Sequence, residues 1–201
     1  MTKKLAIIGA GGHGKVVGEI ALLNRYETIH FFDDKVNQIK NFPLKIFGNL
    51  DKLKNNLKNY DFFFVAIGDN KTRYDHLSWL KDEKKNNNIV SLIHPKSTIS
   101  KISSLGLGSC VMANAVINPG ALVKEGVIIN TSSSIDHDCL IEDYAHISPN
   151  CSLSGDVSVG KFTHLGTGTS VSQGINIGNN VKTGIGSKIY KNIVDNKIFK
   201  N

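Results

Sequence analysis

Residues 129–153 read INTSSSIDHDCLIEDYAHISPNCSL, and a branched aliphatic residue returns at every sixth position of this stretch. The spacing extends in both directions, from Ile99 to Ile189, and 15 of its 16 positions hold Ile, Leu or Val. A period of six fits neither an ordinary strand, which repeats every two residues or so, nor a helix, which repeats about every 3.6. It predicts short strands joined by corners, three to a coil of roughly 18 residues, with a core one apolar side chain wide along the axis.

The composition changes near His94-Pro95, which suggests a domain boundary. Most aromatic residues and the Lys/Asn-rich stretches precede this point, whereas Gly, Ser, Thr and β-branched residues dominate after it. A chain of 201 residues is long enough for two small domains that each bury a core. We therefore predict an α/β domain over residues 1–95 and an all-β solenoid over residues 96–201.

The first part begins with a strand, a glycine turn and a helix. The apolar run Leu5-Ala6-Ile7-Ile8 leads into Gly9-Ala10-Gly11-Gly12-His13-Gly14, after which apolar residues recur at helical spacing. The pattern Gly9-x-Gly11-x-x-Gly14 fits the dinucleotide-binding fingerprint, and Phe31-Phe32-Asp33-Asp34 supplies a second strand that ends in acidic residues. Asp33 and Asp34 are thereby expected to contact a ribose or sugar. The alternative is that the glycines only permit a tight turn.

Further strands are predicted at residues 61–68 and 89–93, with a helix over residues 71–85 between them. Four strands make a half-Rossmann unit, which is sufficient for one nucleotide moiety and small for two. An NAD-dependent oxidoreductase is accordingly the weakest functional interpretation.

The net charge of the chain and its sequence signals for targeting limit the classes of function that the sequence allows. The formal net charge is +7, but the lysines are scattered and no run of five or six basic residues occurs, which argues against a nucleic-acid partner. Neither a signal-peptide core nor a membrane span is present in the sequence, so a cytoplasmic location is expected. The three cysteines, Cys110, Cys139 and Cys151, lack metal-site spacing and are expected to be buried thiols.

Histidines of the repeat are the candidates for chemistry. His137 and Asp138 occupy the third and fourth positions of the six-residue repeat, or hexad, that begins at Ile135, and so lie outside the predicted core. A carboxylate beside an imidazole can orient the ring as a general base. His146 and His164 hold the same position in their six-residue repeats and are separated by one coil, so we expect them to stack on one edge of the triangular coil. The same position holds Ile128 in the preceding coil and the cationic Lys182 in the following coil. Neither can serve as a third metal ligand beside the two histidines, so no metal site is expected.

The glycine turn at residues 9–14, the Asp33-Asp34 pair, the strand end Ala66-Ile67-Gly68-Asp69-Asn70 and residues 129–139 together resemble the NeuD/PglD-like sugar acetyltransferases, from about residue 4 to residue 195. The resemblance implies a left-handed β-helix and a homotrimer with active sites between subunits. It also implies acetyl-CoA as co-substrate, without a metal. The implied acceptor is the amino group of a UDP- or dTDP-linked 4-amino-4,6-dideoxysugar, used in surface-glycan or glycoprotein assembly.

The resemblance also assigns roles by position. It makes His137 the general base and Asp138 the residue that tunes it. The residues that it places around the nucleotide sugar are Gly11, Gly12, His13, Asp33, Asp34 and Gly68, with Asn130 near the sugar. The contacts that it implies for acetyl-CoA are His146, Thr167 and the Gly184-Ile185 backbone.

One departure concerns the C-terminus. Members of this family usually end with a loop that contains Gly-x-Pro-Ala-Lys, whereas this chain ends with DNKIFKN, residues 195–201. Either the affinity for acetyl-CoA is lower, or Lys197 and Lys200 substitute for the loop. The shortened C-terminus therefore keeps open a non-catalytic trimer that binds a nucleotide sugar. A sialic acid O-acetyltransferase is a further alternative, because a hydroxyl acceptor would also need His137 and the sequence does not separate the two acceptors.

Overall fold

A parallel β-sheet with helices forms the first of two units, which spans residues 1–95. The structure is a computed structural model that describes residues 3–35, 43–83 and 85–199. The elements of this unit are β1 (Lys4–Ile8), α1 (Gly12–Leu23), β2 (Thr28–Phe32), β3 (Ile46–Gly48), α2 (Leu50–Lys54), β4 (Phe62–Val65), α3 (Asn70–Asp82) and β5 (Leu92–Ile93), with 3₁₀ turns at Leu57–Asn59 and Asn86–Asn88.

The sheet of the first unit has the order β3-β2-β1-β4. The strand predicted at residues 89–93 is present as β5 (Leu92–Ile93), but it is not part of this sheet, whose fourth strand is β3, at the edge opposite β4. A 3₁₀ turn runs up to Asn88, so this segment meets β4 at one residue pair, Ile89 with Phe63. The strand β3 is only three residues long, which is too short for a periodic signal.

Helix α3 begins and ends earlier than predicted. The Asp69 side chain accepts a hydrogen bond from the backbone N–H of Thr72 and thereby caps the helix at Asn70. The helix ends at Asp82, and Lys84, which the prediction included, lies outside the described residues.

Two-residue strands build the second unit, residues 96–201, and follow one another at six-residue intervals up to Ile189. Their bounds are β6 (Thr98–Ile99), β7 (Ser104–Leu105), β8 (Cys110–Val111), β9 (Val116–Ile117), β10 (Leu122–Val123), β11 (Ile128–Ile129), β12 (Ser134–Ile135), β13 (Leu140–Ile141), β14 (His146–Ile147), β15 (Ser152–Leu153), β16 (Ser158–Val159), β17 (His164–Leu165), β18 (Ser170–Val171), β19 (Asn176–Ile177), β20 (Lys182–Thr183), β21 (Lys188–Ile189) and β22 (Ile198–Phe199).

These strands stack into three parallel faces, which the chain visits in turn. Face 1 has the order β21-β18-β15-β12-β9-β6, face 2 has β19-β16-β13-β10-β7, and face 3 has β22-β20-β17-β14-β11-β8. The register joins residues 18 positions apart, such as Ile129 with Ile147 and Ile135 with Leu153. The fold of this unit is a left-handed parallel β-helix of triangular section. The period of six predicted coils of three strands, and the family resemblance implied their left hand.

Burial and backbone geometry follow the same period. The aliphatic anchors form one continuous core, and Ile129, Ile141 and Ile147 are completely buried. From Gly108 to Gly186 every sixth residue turns a corner with a φ between 54° and 76°. The three cysteines are free and buried, which confirms that expectation.

The repeat continues beyond Ile189, where the sequence pattern ends. Ile193 forms a bridge with Ile177, and Phe199 pairs with Thr183, so both pairings span 16 residues instead of 18. Ile193 is 9% exposed and belongs to the core. The C-terminal segment is therefore one more coil, shortened by two residues, which hides it from a search for period six.

Helices α1 and α3 have 12 and 13 residues. In the described parts of the chain, no helix has both the length and the apolar character that crossing a bilayer requires. The His, Cys, Asp and Glu side chains of the same parts form no group of three or more that could hold a metal ion.

Candidate active site

The His137 imidazole and the Asp138 carboxylate form a hydrogen-bonded pair on the edge where face 1 turns into face 2. Asp138 turns this corner with a φ of 60°, and its Oδ2 lies 2.8 Å from Nδ1 of His137. Because an ionised carboxylate only accepts, Nδ1 carries the shared proton and the lone pair of the neutral ring lies on Nε2. The His137 side chain is 53% exposed, in agreement with its predicted position outside the core.

Neighbouring carboxylates raise the pKa of His137 above its usual value. The hydrogen bond to Asp138 is the largest cause, and the negative charges of Asp136, Asp138 and Asp156 act in the same direction. Asp136 is held in place by Nδ2 of Asn118, at 2.9 Å, and by the backbone N–H of His137, at 2.8 Å. These two bonds lower the pKa of Asp136, so that it stays ionised beside the imidazole.

Asn118, Asp136 and Asp156 were not singled out from the sequence. The signal was available, because Asn118 precedes Asp136 by one coil and Asp156 follows Asp138 by one coil. Residues that are 18 positions apart become neighbours in this fold.

A second cluster lies on face 3, where the His146 and His164 rings stack with centroids 4.4 Å apart and an interplanar angle of 10°. This stacking confirms the expectation from their 18-residue spacing, but the two histidines lie in strands β14 and β17 of a face, so their expected position on an edge was wrong. Oδ1 of Asn130 accepts the N–H of Thr131 at 2.8 Å, so its amide nitrogen is the atom that faces Nε2 of His146, at 3.1 Å. An amide nitrogen only donates, and Nε2 of His146 therefore accepts, which places the proton of the neutral ring on Nδ1. Asn130 thus contacts the imidazole assigned to acetyl-CoA.

The other residues assigned to acetyl-CoA lie at the corner where face 3 turns into face 1. Thr167 follows β17, and Gly184 and Ile185 follow β20, so that Thr167 and Ile185 stand one coil apart. Ile185 is 80% exposed. Within the chain the structure thus groups His146 with these residues on one side of the prism. The edge that carries His137 lies on the opposite side, because the edge between faces 1 and 2 is opposite face 3.

The six residues of the first unit assigned to the nucleotide sugar all line one cavity of about 460 Å³. These residues are Gly11, Gly12, His13, Asp33, Asp34 and Gly68. The cavity lies beyond the carboxyl ends of β1, β2 and β4, which is where ligands bind in open α/β sheets. Leu50, Asp69 and His76 also line it and were missed from the sequence.

Asp33 and Asp34 have structural bonds in addition to their place at the cavity. Oδ2 of Asp33 accepts the N–H of Ala10 at 2.8 Å and thereby fixes the glycine turn. Oδ1 of Asp34 accepts the N–H of Leu50 at 2.9 Å, at the start of α2. These carboxylates therefore shape the walls of the cavity, whatever else they bind.

Arg73, which the sequence did not single out, is 1% exposed and anchors the loop after β4. Its guanidinium donates to the carbonyl oxygens of Ile67 and Gly68 and to Oδ1 of Asn70, each at 3.0 Å. Burial, together with the charge of Arg73, lowers the pKa of His13 to about 4, so that this imidazole is neutral near pH 7. Nε2 of His13 is buried and makes no hydrogen bond to the described residues.

Near the C-terminus, Lys197 lines a cavity of about 280 Å³ together with Lys188, Lys191 and Tyr190. Lys200, the other residue considered as a substitute for the family's closing loop, lies outside the described residues.

Comparisons with known proteins cover both units. Residues 4–80 match the family model of the PglD N-terminal domain. A stretch of 123 residues is 36% identical to the UDP-N-acetylbacillosamine N-acetyltransferase of Bacillus subtilis (strain 168), and it covers 55% of this chain and 52% of that protein. The chain thus spans about half the length of this curated relative.

Solved structures match over nearly the full length. The acetyltransferase domain of PglB from Neisseria gonorrhoeae FA1090, in complex with acetyl coenzyme A, has a TM-score of 0.92 and 38% identity, over 98% of this chain and 95% of that chain. PerB from Caulobacter crescentus, in complex with CoA and GDP-perosamine, has a TM-score of 0.86 and 31% identity, over 97% of this chain and 92% of that chain.

Proposed function

This chain belongs to the PglD-like family of nucleotide-sugar acetyltransferases, and on that premise we propose that it transfers an acetyl group from acetyl-CoA to the amino group of a nucleotide-linked sugar. The acceptor is a 4-amino-4,6-dideoxysugar carried by UDP, dTDP or GDP, made for a surface glycan or a glycoprotein. The observation that carries the proposal is the His137-Asp138 pair, an oriented and exposed imidazole on the edge of the β-helix.

In the proposed reaction His137 acts as general base. Acetyl-CoA supplies the thioester; the sugar nitrogen forms a bond with the acetyl carbon while the carbon–sulfur bond breaks, and the proton of the amine moves to Nε2 of His137. Asp138 stabilises the resulting imidazolium through its 2.8 Å hydrogen bond to Nδ1. The imidazolium then returns the proton to the thiolate of CoA, so that no covalent enzyme intermediate is needed.

Residues of the first unit form the proposed site for the nucleotide diphosphate. No side chain caps α1 at Gly11, so the first N–H groups of this 12-residue helix are available to an anion beside the cavity. The buried guanidinium of Arg73 adds positive potential, and His13 stays neutral. These features favour a diphosphate, and Asp33 and Asp34 are proposed to meet the ribose or the sugar.

The proposed enzyme is a homotrimer with its active sites between subunits. Within one chain, His137 and His146 lie on opposite sides of the triangular prism, so one chain cannot bring both to the same thioester. A closed ring of three chains is built from heterologous contacts, in which one surface of a subunit meets a different surface of the next. We accordingly propose that His137 of one subunit acts on acetyl-CoA held by His146, Thr167, Gly184 and Ile185 of its neighbour. The reaction takes place in the cytoplasm, where acetyl-CoA and nucleotide sugars are made.

An acceptor screen tests the proposal. The purified protein is mixed with acetyl-CoA and in turn with UDP-, dTDP- and GDP-linked 4-amino sugars and with sialic acids, and the release of CoA thiol is measured. We expect release with an amino sugar, and a loss of roughly two to four orders of magnitude in kcat for His137→Ala. Wild-type turnover in that variant would remove His137 from the mechanism. Release with sialic acid alone would favour the O-acetyltransferase, and the absence of acetyl-CoA binding by calorimetry would favour a binding protein.

A further inference from the structure

The imidazole of His137 packs against the backbone of Gly155, which lies one coil further along the β-helix. A methyl group in place of a Gly155 hydrogen would put its carbon 2.5 Å from both Cε1 and Nε2 of His137, and 3.1 Å from Nδ1. These three ring atoms are the nearest neighbours that such a methyl group would meet. The two coils are held in register here, because the N–H of Asp156 donates to the carbonyl oxygen of His137 at 2.9 Å.

The backbone of the β-helix does not itself require glycine at this position. Gly155 is not among the corner residues with a positive φ, so an alanine could adopt its conformation. Other glycines of the unit have a different reason, since a methyl group at Gly106, Gly160 or Gly166 would meet the backbone of the next coil. At Gly155 the space is needed for a side chain, the one proposed as general base.

A second glycine borders the pair from the preceding coil. Gly120 turns its corner with a φ of 76°, and a methyl group there would collide with Oδ1 of Asp138. The imidazole and its carboxylate thus lie in a slot between Gly120 on one side and Gly155 on the other.

We propose that Gly155 is a positioning residue for the acetyl transfer: by carrying no side chain, it lets the His137 ring lie where Nδ1 reaches Asp138 and where Nε2 has a fixed direction. This inference rests on the proposed function. More than half of the His137 side chain is exposed, so the direction of Nε2 depends on the hydrogen bond to Asp138 and on the contact with Gly155. His137 has its charged neighbours, Asp136, Asp138 and Asp156, on the same edge, so a turn of the ring also changes its electrostatic surroundings.

The variant Gly155→Ala tests the proposal. An ordinary contact with a methyl carbon begins at 3.4 Å, so the ring must move by roughly 1 Å, a displacement that can cost about 100-fold in rate. We expect kcat to fall by about 100-fold, with the KM values for both substrates within about twofold of wild type. The melting temperature should change little, because an exposed ring can swing outward. The hydrogen bond to Asp138 is lost, so the acid limb of the pH–rate profile should move to lower pH.

The control is Gly174→Ala, on the same edge of the prism. Gly174 has a φ of 70° and no heavy atom within 4 Å of an added methyl group, so alanine there strains the backbone without touching the pair. We expect this variant to be somewhat less stable and to keep the wild-type kcat and pH profile.

One measurement is independent of catalysis. In a titration of the His137 ring protons by NMR, without substrates, the pKa should be lower in Gly155→Ala than in the wild type, because Asp138 no longer accepts from Nδ1. An unchanged His137 pKa would overturn the inference, and so would an unchanged kcat. If the wild-type protein transfers acetyl groups to no acceptor, the proposed function fails while the NMR comparison still decides the role of Gly155.

Discussion

Two inactive variants should restore each other's activity if the active site is shared between subunits. The variants are His137→Ala, which lacks the base on the edge, and His146→Ala, which lacks the imidazole on face 3. They are co-expressed with different affinity tags, and mixed trimers are isolated through both tags in sequence. Each variant alone should show little acetyl transfer, since every one of its sites lacks one of the two groups.

The expected activity of the mixed trimers follows from the way in which two neighbouring subunits share each site. Each site is formed by the edge of one subunit, which carries His137, and by face 3 of the next subunit, which carries His146. In a mixed trimer, a complete site therefore needs the edge of a His146→Ala chain, where His137 is intact, beside face 3 of a His137→Ala chain, where His146 is intact. In a ring of three chains that contains both variants, this order occurs once, whichever variant is present twice. Mixed trimers should therefore have about one third of the wild-type kcat per trimer, and an unfractionated equal mixture about one quarter.

The assay is the release of CoA thiol with the best acceptor of the screen, measured per mole of trimer. Circular dichroism and light scattering check that the variants keep the fold and the oligomeric state, because His146 is 8% exposed and its removal disturbs a packed ring. A control mixes wild-type chains with chains that carry both substitutions. A trimer with one wild-type chain should then be inactive, whereas a site within one chain would leave it about one third active.

Mixed trimers with no more activity than the two parents would refute the shared site. That result would also refute the inference that His137 and His146 serve the same thioester, since no arrangement within one chain joins opposite sides of the prism.

Two further substitutions test the electrostatics of the two sites. Asp138→Asn removes the main cause that raises the pKa of His137. Because a general base works only when it is unprotonated, the acid limb of the kcat/KM profile, where activity is lost as the pH falls, should shift to lower pH. An unchanged acid limb would contradict the role of Asp138. Arg73→Leu removes a buried guanidinium that donates to the part-buried carbonyl oxygens of Ile67 and Gly68, and it should lower the free energy of unfolding in urea by about 1–3 kcal/mol. It also removes a charge that lowers the pKa of His13, so that pKa should rise from about 4 in an NMR titration, and a value that stays there would rule out this effect of Arg73.

Periodic features of this protein were readable from the sequence because each depends on local chain geometry. The inward aliphatic positions, the 18-residue register and the stacking of His146 on His164 all follow from a strand and a corner that repeat every six residues. The exposed position of His137 follows from its phase within the hexad. The glycine turn and the motifs around it likewise indicated the family.

Features without a period were missed. β3 is too short to show a pattern, and the last coil breaks the repeat by two residues, so that Ile193 and Phe199 pair outside the register of 18. Arg73 gives no sign in the sequence that its charge is buried. Its burial depends on carbonyl oxygens that converge after β4 has taken its place in the sheet.

The sequence by itself determined the β-helix. An aliphatic residue at every sixth position can be buried in every repeat only if the chain coils with three repeats to a turn, and any other arrangement would leave these side chains in water. Tertiary structure decided how the chemical groups are distributed. Closure of three faces into a prism puts His137 and His146 on opposite sides, and the stacking of coils brings Gly155 against the ring of His137. Both features depend on how the coils close and pack, because they concern residues that are far apart in the chain and lie on different coils or on different sides of the prism.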